Sequence, residues 1–600
     1  MNRLMMGFIA CVLVLGQLAC SDDDPATQNQ DNQDNQLDDA GSVDDTNGDD
    51  QDPDVCTPRT QCEAWECGTV DDGCGDTFEC GACGCVDGEA QTTGCGDCGI
   101  GALICEDGES GSGTCETPEI PGFSGECDEL VWVSQREGSS QGMGTFDDPV
   151  DSLQAGLSVA RSSGAVAVIL GGGAAVEYEG PVLLEQRISI IGGYDNDLNR
   201  DEEQIPVIAS ESAPDAFEDG DVVGLAIHGV SESILLTNFT VETEDVVEYG
   251  RNNYGMHVYD SPGLTIDNVD VYAGRGGDGR DGDDGERGAD GEDGSDGKDV
   301  EFEWGEGHDP DDFIGVGGEN SDCSDAFGGD GGVGATDEPA TDGEDALIAS
   351  GGAGGDGTTD DGWVEENAAG GDGENAPLVT SSGDHGTGGT SDGEVVAELW
   401  VPDGNGGNGY KGEHATGGGG GGGGGMYEEG VARPTSRSSF GGGGGAGGCG
   451  GDGGEGGQGG GGSFGLFVIS GDINIVSSGF FANLGGAGGA GGMGGDGGQG
   501  GTGGGPSEKM VTNPGGGDEW EDFYYVDGEK GGHGGDGADG ARGGDGGGGA
   551  GGVSYGAYCQ GAEIDTSGTI RFSDGGSASG GSSPTHPGDP GTAADEAGCL

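Results

Sequence analysis

Two stretches decide how this chain folds: SILLTNFTVET at 233–243 and GLTIDNVDVYAG at 263–274. They share one pattern, apolar–x–Asn–apolar–x–apolar, and their asparagines, Asn238 and Asn268, lie 30 residues apart. Asparagine accepts the left-handed backbone conformation of a sharp turn between short strands, where its side chain can bond the backbone. Two such turns one repeat apart predict coils stacked with one asparagine above the other.

Neighbouring stretches fit that reading. AVAVILGG (165–172), RISIIGGYD (187–195) and GLAIHGV (224–230) are short runs rich in Val, Ile and Leu, bounded by glycine or aspartate, as strands are. Upstream, GTFDDPVDSLQAGLSVARSSG (144–164) places Leu153, Leu157 and Ala160 at helical spacing, with Asp151 or Ser152 positioned to cap the helix. The opening G-T-x-D-x-P-x-x-S-L-Q-A-G-L and the paired asparagine turns resemble the pectin-lyase-like family over about 129–274. That resemblance implies a right-handed parallel β-helix with a helix capping its first coil. An antiparallel β-sandwich is the alternative.

The pattern returns downstream. SFGLFVISGDINIVSSGFF (463–481) and SYGAYCQGAEIDTSGTIRF (554–572) echo YGMHVYDSPGLTIDN (254–268). In these copies Gly479 and Gly568 are expected to replace the turn asparagine, since glycine also accepts positive φ. A weaker copy is expected at EVVAELWV (394–401). The fold expected is therefore mostly β: coils at 129–274, 463–484 and 553–580, separated by glycine-rich insertions at 275–462 and 485–552, with a disordered tail at 581–600.

The insertions carry much of the composition. Of 600 residues 149 are glycine, and only 31% are hydrophobic. In GGDGRDGDDGERGADGEDGSDGKD (276–299) glycine recurs at every third place, with acids between. Proline is missing from this run and from 447–462, 485–503 and 531–552, which weighs against a collagen triple helix. The aliphatic position of calcium-binding nonapeptide repeats is missing too. Two readings stay open. The triplets form extended three-residue-per-turn helices, packed through their glycine faces with acids facing water, or they are disordered.

The balance of 115 acidic against 18 basic residues gives a net charge of −97. Neutralising phosphates needs Lys and Arg, so no nucleic-acid partner is expected. Bound divalent cations are expected on charge grounds. Calcium is the candidate cofactor, because carboxylates serve its flexible oxygen coordination.

The first twenty residues, MNRLMMGFIACVLVLGQLAC, have one early Arg3, an apolar run and small residues before Cys20. This is the layout of a secretory signal, too short to span a membrane. Leu18-Ala19-Cys20 resembles a bacterial lipobox, although Gln17 departs from its aliphatic preference. The resemblance implies lipidation of Cys20, with a plain signal peptide as the alternative. The acidic stretch 21–55 cannot bury enough surface to fold and reads as a disordered tether.

Twelve cysteines follow within 56–127: Cys56, Cys62, Cys67, Cys74, Cys80, Cys83, Cys85, Cys95, Cys98, Cys105, Cys115 and Cys127. Setting aside Cys11 and Cys20, an even sixteen of the eighteen remain, as a disulfide framework in an exported protein requires. Zinc at Cys80/Cys83 and Cys95/Cys98 is the rival. CTPRTQCEAWECGTVDDGCGDTFECGAC (56–83) resembles cysteine-rich modules of large exported myxobacterial proteins, and 85–105 resembles a second such module. The resemblance implies location and architecture, with no established chemistry.

Catalysis leaves a weak trace. Asp147–Asp148 and Asp267 with Asp270 are paired acids, but acids are everywhere in this chain. His228-Gly229 is present without the Arg-x-Lys partner of β-helix hydrolases, and no Arg-x-Pro-x-x-Arg marks a lyase. His228 and His257 read as packing residues. The expected function is that of a lipid-anchored protein of the outer membrane or cell surface. Its role would be structural or adhesive, with polysaccharide, matrix or another cell surface as partner. A polysaccharide lyase or hydrolase is the alternative.

Overall fold

The computed structural model describes residues 117–600 apart from 173–175, 196–197, 199, 300–308, 336–339, 347–368, 380, 392, 429–438, 509–510, 513–525 and 600. Before 117 it describes 69–71, 77–79, 90–95, 98, 100–105 and 113–116. The chain divides into two units, Met1–Gly81 and Ala82–Leu600. In the first, Thr69–Asp71 pairs antiparallel with Thr77–Glu79. The second unit is mostly β, dominated by a large parallel sheet curled into a half-barrel.

Alternating apolar runs with a turn residue between them build this sheet in three rows. The first row takes Leu130–Val133, Ala167–Gly171 and Ser189–Tyr194, then the leading halves of Ile234–Thr243 and Leu264–Tyr272. The second takes Glu177–Glu179, Val207–Ser210, the trailing halves of those two long strands, Gly479–Phe481 and Arg571–Ser573. The third takes Val182–Leu184, Val222–His228, Asn253–Tyr259, the start of Ser463–Val476, the start of Ser554–Ser567 and Ala593–Ala597. Every pairing in these rows is parallel, and the chain visits third row, first row and second row in that repeating order.

Register partners stack like on like inside. Ile190, Leu236, Ile266 and Ile475 succeed one another in the first row, and Leu225, Met256, Leu466 and Ala557 in the third. All eight are fully buried in one core. Burying each of the Ile, Leu and Met side chains among them contributes about 1.5–3 kcal/mol. Helix Leu153–Ser163 closes one end of that core with Leu153, Leu157 and Ala160. Ser152 caps it, accepting the Ala155 N–H, and Gly164 ends it at φ 80°.

The turn between first and second rows needs positive φ. Asn238 (57°) and Asn268 (51°) supply it, and Asn268 Nδ2 donates to Asn238 Oδ1 at 2.7 Å. In the next coil the residue is Ser477 (46°), not Gly479, which already pairs with Asp270 in the second row. Gly568 (76°) serves the last coil.

Two further expectations change. Residues 394–401 do not form a parallel coil: Gly393–Val396 and Leu399–Pro402 make an antiparallel hairpin. Ala397 and Glu398, both at positive φ, form its turn, which matches the twist of a two-residue hairpin. The tail expected to be disordered is ordered over 581–599. Ala593–Ala597 adds to the third row, and Cys599 is bonded to Cys559.

The glycine triplets are ordered. Segments 275–299, 403–425, 439–462, 484–508 and 529–553 carry neither helix nor strand, yet they are cross-bonded at every third residue. In the central segment, Gly445, Gly448, Gly451, Gly454 and Gly457 donate to carbonyls of 529–553 at 2.9–3.0 Å. The residues one place on, Ala446 to Gln458 by threes, donate to carbonyls of 275–299 at 2.8–3.0 Å. A three-residue period that aims successive N–H groups at different neighbours is polyproline-II geometry. Glycine is required by the close approach: a Cβ on Gly457 would lie 2.0 Å from the Gly489 carbonyl oxygen. Backbone therefore packs on backbone, and a side-chain core is not needed.

Candidate functional site

Three groupings of side chains stand out around this scaffold. The first is the outward side of the third row. There Tyr254, Phe464 and Tyr555 form one register ladder, and His257, Phe467 and Tyr558 form another. Tyr254 stacks on Phe464 at 5.2 Å, His257 on Phe467 at 5.3 Å and Phe467 on Tyr558 at 5.1 Å. The glycine after each first ladder residue lets the second row approach the third: a Cβ on Gly255 would lie 2.4 Å from Val271 Cγ1.

The 393–402 hairpin covers this ladder. Trp400 N–H donates to Tyr254 Oη at 3.0 Å, and Asn252 Nδ2 donates to the Trp400 carbonyl at 2.8 Å. His257 Nε2 lies 3.0 Å from the Glu398 carbonyl, and His257 Nδ1 lies 2.9 Å from His228 Nε2. A carbonyl only accepts, so His257 carries its proton on Nε2. Its Nδ1 then accepts from His228 Nε2–H, which fixes both tautomers. Burial, then His228 beside it, pushes His257 down to about 3, and burial lowers His228 as well. Asp221, buried beneath the Asn252 N–H that it accepts at 2.9 Å, is pushed up to about 7 by burial. These histidines are neutral packing groups that hold the hairpin.

The second grouping holds the paired acids. Asp270 accepts from Arg571 at 3.1 and 3.2 Å, and Arg571 also lies over the Phe481 ring. Asp267 lies across the Asn268 turn, raised by burial and by Glu202 against the pull of Arg200. Each carboxylate has its own basic neighbour, Arg571 for Asp270 and Arg200 for Asp267. Asp148 accepts the Met143 N–H at 3.1 Å within its own turn, while Asp147 is exposed.

The third grouping lies along the glycine bundle. In 276–299 seven of the eight triplets end in aspartate, the exception being Arg287, and these aspartates do not simply face water. Oδ1 of Asp278, Asp281, Asp284, Asp290, Asp293 and Asp296 accepts the N–H of Ala487, Ala490, Met493, Gln499, Thr502 and Gly505, at 2.6–2.8 Å. Asn405, Asn408 and Asn375 do the same for Gly459, Gly456 and Asp536. The acidic triplets are thus a hydrogen-bond ladder, a role that composition alone does not reveal.

Among the predicted cysteines, Cys98 is bonded to Cys127. Cys95, Cys105 and Cys115 sit in the strands Ala90–Cys95, Gly101–Cys105 and Gly113–Glu116 of one antiparallel sheet. Cys20, Cys56, Cys62, Cys67, Cys74, Cys80, Cys83 and Cys85 lie outside the described residues. Two disulfides beyond that module, Cys323–Cys449 and Cys559–Cys599, were signalled only by the even cysteine count. A ring nitrogen of His414 lies within 4.8 Å of the Cys323 and Cys449 sulfurs. While bonded to each other those sulfurs offer no thiolate to a metal.

Comparison with protein-family models, with curated proteins and with solved structures returns no match. Among the described residues no helix is long and apolar enough to cross a membrane.

Proposed function

We propose that this is an exported, lipid-anchored surface protein with a structural or adhesive role, binding polysaccharide, matrix or another surface. In this reading the three-row sheet is a right-handed parallel β-helix, held off the membrane by the acidic tether and the cysteine-rich module. The observation that carries it is the backbone-packed glycine bundle. The bundle, built by backbone packing, turns most of the non-glycine side chains of its acidic triplets outward, as a display surface does. The charge of −97 keeps such a surface soluble and repels other polyanions.

The test is to incubate the mature chain with a panel of polysaccharides, with calcium and with chelator. Binding and new reducing or unsaturated ends are followed together. Binding without product is the expected outcome. Product formation overturns the reading in favour of a lyase or hydrolase. Substitution of Cys20 is expected to release the protein from membranes, and a wild-type chain that is already soluble removes the anchor.

A further inference from the structure

The loop between the second and third rows, 244–252, is where the sheet meets the first glycine segment. It is tied down on both sides. Val246 N–H donates to the Arg275 carbonyl at 3.0 Å, Gly250 N–H to the Asp278 carbonyl at 2.8 Å, and Gly277 N–H to the Arg251 carbonyl at 2.8 Å. Gly250 takes φ 67° to make the bend. Yet this anchored loop leaves Tyr249 59% exposed, and Val247 94%. An aromatic ring ordinarily gains by burial. Here a rigid backbone presents one to solvent.

Tyr249 borders an open surface cleft of about 430 Å³. Gly279, Ala487 and Gly488 line it without bulky side chains, and Asp278, Arg280 and Asp281 complete it. Oδ1 of Asp278 and of Asp281 is engaged by the Ala487 and Ala490 N–H groups, which fixes both carboxylates. Arg280 is exposed, and its nearest acid, Asp283, is 3.8 Å away, beyond hydrogen-bonding distance.

We propose that this cleft binds a sugar ring of a neutral polysaccharide. The inference rests on the adhesive reading above and names its contact point. A pyranose has one apolar C–H face, which fits the Tyr249 ring and the flat glycine wall. Its hydroxyls both donate and accept, which fits fixed carboxylates beside a guanidinium. Charge selects the neutral class: a polyanionic chain would meet the surrounding carboxylates. The preorganised loop and bundle lower the cost of binding.

The experiment measures binding of soluble neutral glucan and mannan oligosaccharides, and of a polyuronate, to the full mature chain by calorimetry. Wild type is compared with Tyr249→Ala, Tyr249→Phe and Arg280→Ala, each checked for unchanged circular dichroism. The expected result is binding to a neutral glycan that falls by about tenfold in Tyr249→Ala, as for a central aromatic contact. Tyr249→Phe retains that binding, and Arg280→Ala weakens it. Neutral-glycan binding undiminished in Tyr249→Ala overturns the cleft and leaves the adhesive reading standing. Binding to the polyuronate alone overturns the ligand class. Failure of wild type to bind any glycan while it still attaches to cells or matrix overturns the cleft. Failure to bind anything overturns the adhesive reading as well.

Discussion

Asp293 Oδ1 accepts the backbone N–H of Thr502 at 2.7 Å and its hydroxyl at 2.8 Å, across 209 positions of sequence. The same offset recurs from Asp278–Ala487 to Asp299–Glu508, so two glycine segments run parallel with a carboxylate bonding its neighbour at every turn but the one held by Arg287. The Thr502 N–H, then its hydroxyl, hold Asp293 below the ordinary carboxylate range. A depressed carboxylate adds stability above its unfolded pKa, near 4, and loses it as pH falls through the lower folded value. The protection factor of the Thr502 amide, its exchange rate relative to the unstructured chain at the same pH, is therefore expected to be high at neutral pH and to fall under acid. Asp293→Asn keeps an acceptor, as Asn408 does for Gly456. It is expected to preserve protection while removing the pH dependence, whereas Asp293→Leu is expected to lose protection at every pH.

Glycine in the central segment is a steric requirement rather than a source of flexibility. A Cβ at Gly457 would sit 2.0 Å from the Gly489 carbonyl oxygen, and one at Gly454 2.1 Å from that of Gly492. Backbone on both sides cannot yield as a side-chain tip does. Gly457→Ala is expected to destabilise the bundle by about 1–3 kcal/mol, the usual range for overpacking. Differential scanning calorimetry checks this. Gly164→Ala is the comparison, since a Cβ there meets nothing within 4 Å and only its φ of 80° is strained.

Much of the sheet was legible because its cause is local. Asn238 and Asn268 announced their turns, and the apolar runs announced the strands. The repeat at 463–481 is legible, but its turn residue is Ser477 at φ 46° and not Gly479, because serine carries no local signal for positive φ. Residues 394–401 carry a coil-like pattern but fold within the 393–402 hairpin. Its apolar residues cover the outside of the third row, and a run of alternating residues does not say which partner it pairs with. The bundle was only half legible. The triplet period gave the helix type, but order depends on which segments lie side by side. Nothing local to Asp293 points to Thr502.

The hairpin latch carries two groups with opposite pH dependence. His257 falls to about 3 in the folded protein. The unfolded chain then binds the extra proton between about 3 and 6.5, and stability rises with pH across that window by up to about 1.4 kcal/mol per unit. Asp221 rises to about 7, so its contribution is fully present below about pH 4 and is lost as pH climbs to 7. Between about pH 4 and 6.5 the two slopes oppose each other, so stability of the hairpin is expected to stay nearly level there. His257→Phe, which keeps the stack on Phe467, is expected to leave a stability that declines from about pH 4 to 7. Asp221→Asn, which keeps an acceptor for Asn252 N–H, is expected to leave a stability that rises from about pH 4 to 6.5. Thermal melts across pH 4–9, read by tryptophan fluorescence from Trp400, check both signs.

Cys323 and Cys449 join the segment around 320–326 to the central glycine segment across 126 residues. Asn320 Nδ2 donates to the Gly447 carbonyl at 3.0 Å beside them, so the covalent link and the hydrogen-bonded packing meet at one point. Ala326 and Cys449 are buried there in a small cluster of their own. Closing so long a loop limits the unfolded chain strongly, and the double change Cys323→Ser, Cys449→Ser is expected to cost about 3–5 kcal/mol. The loss should fall on the bundle. Hydrogen exchange at Gly445, Gly448 and Gly451 is expected to speed up, while the first-row strands Ala167–Gly171 and Ser189–Tyr194 keep their protection. Equal loss at both places would mean that bundle and sheet unfold as one cooperative body.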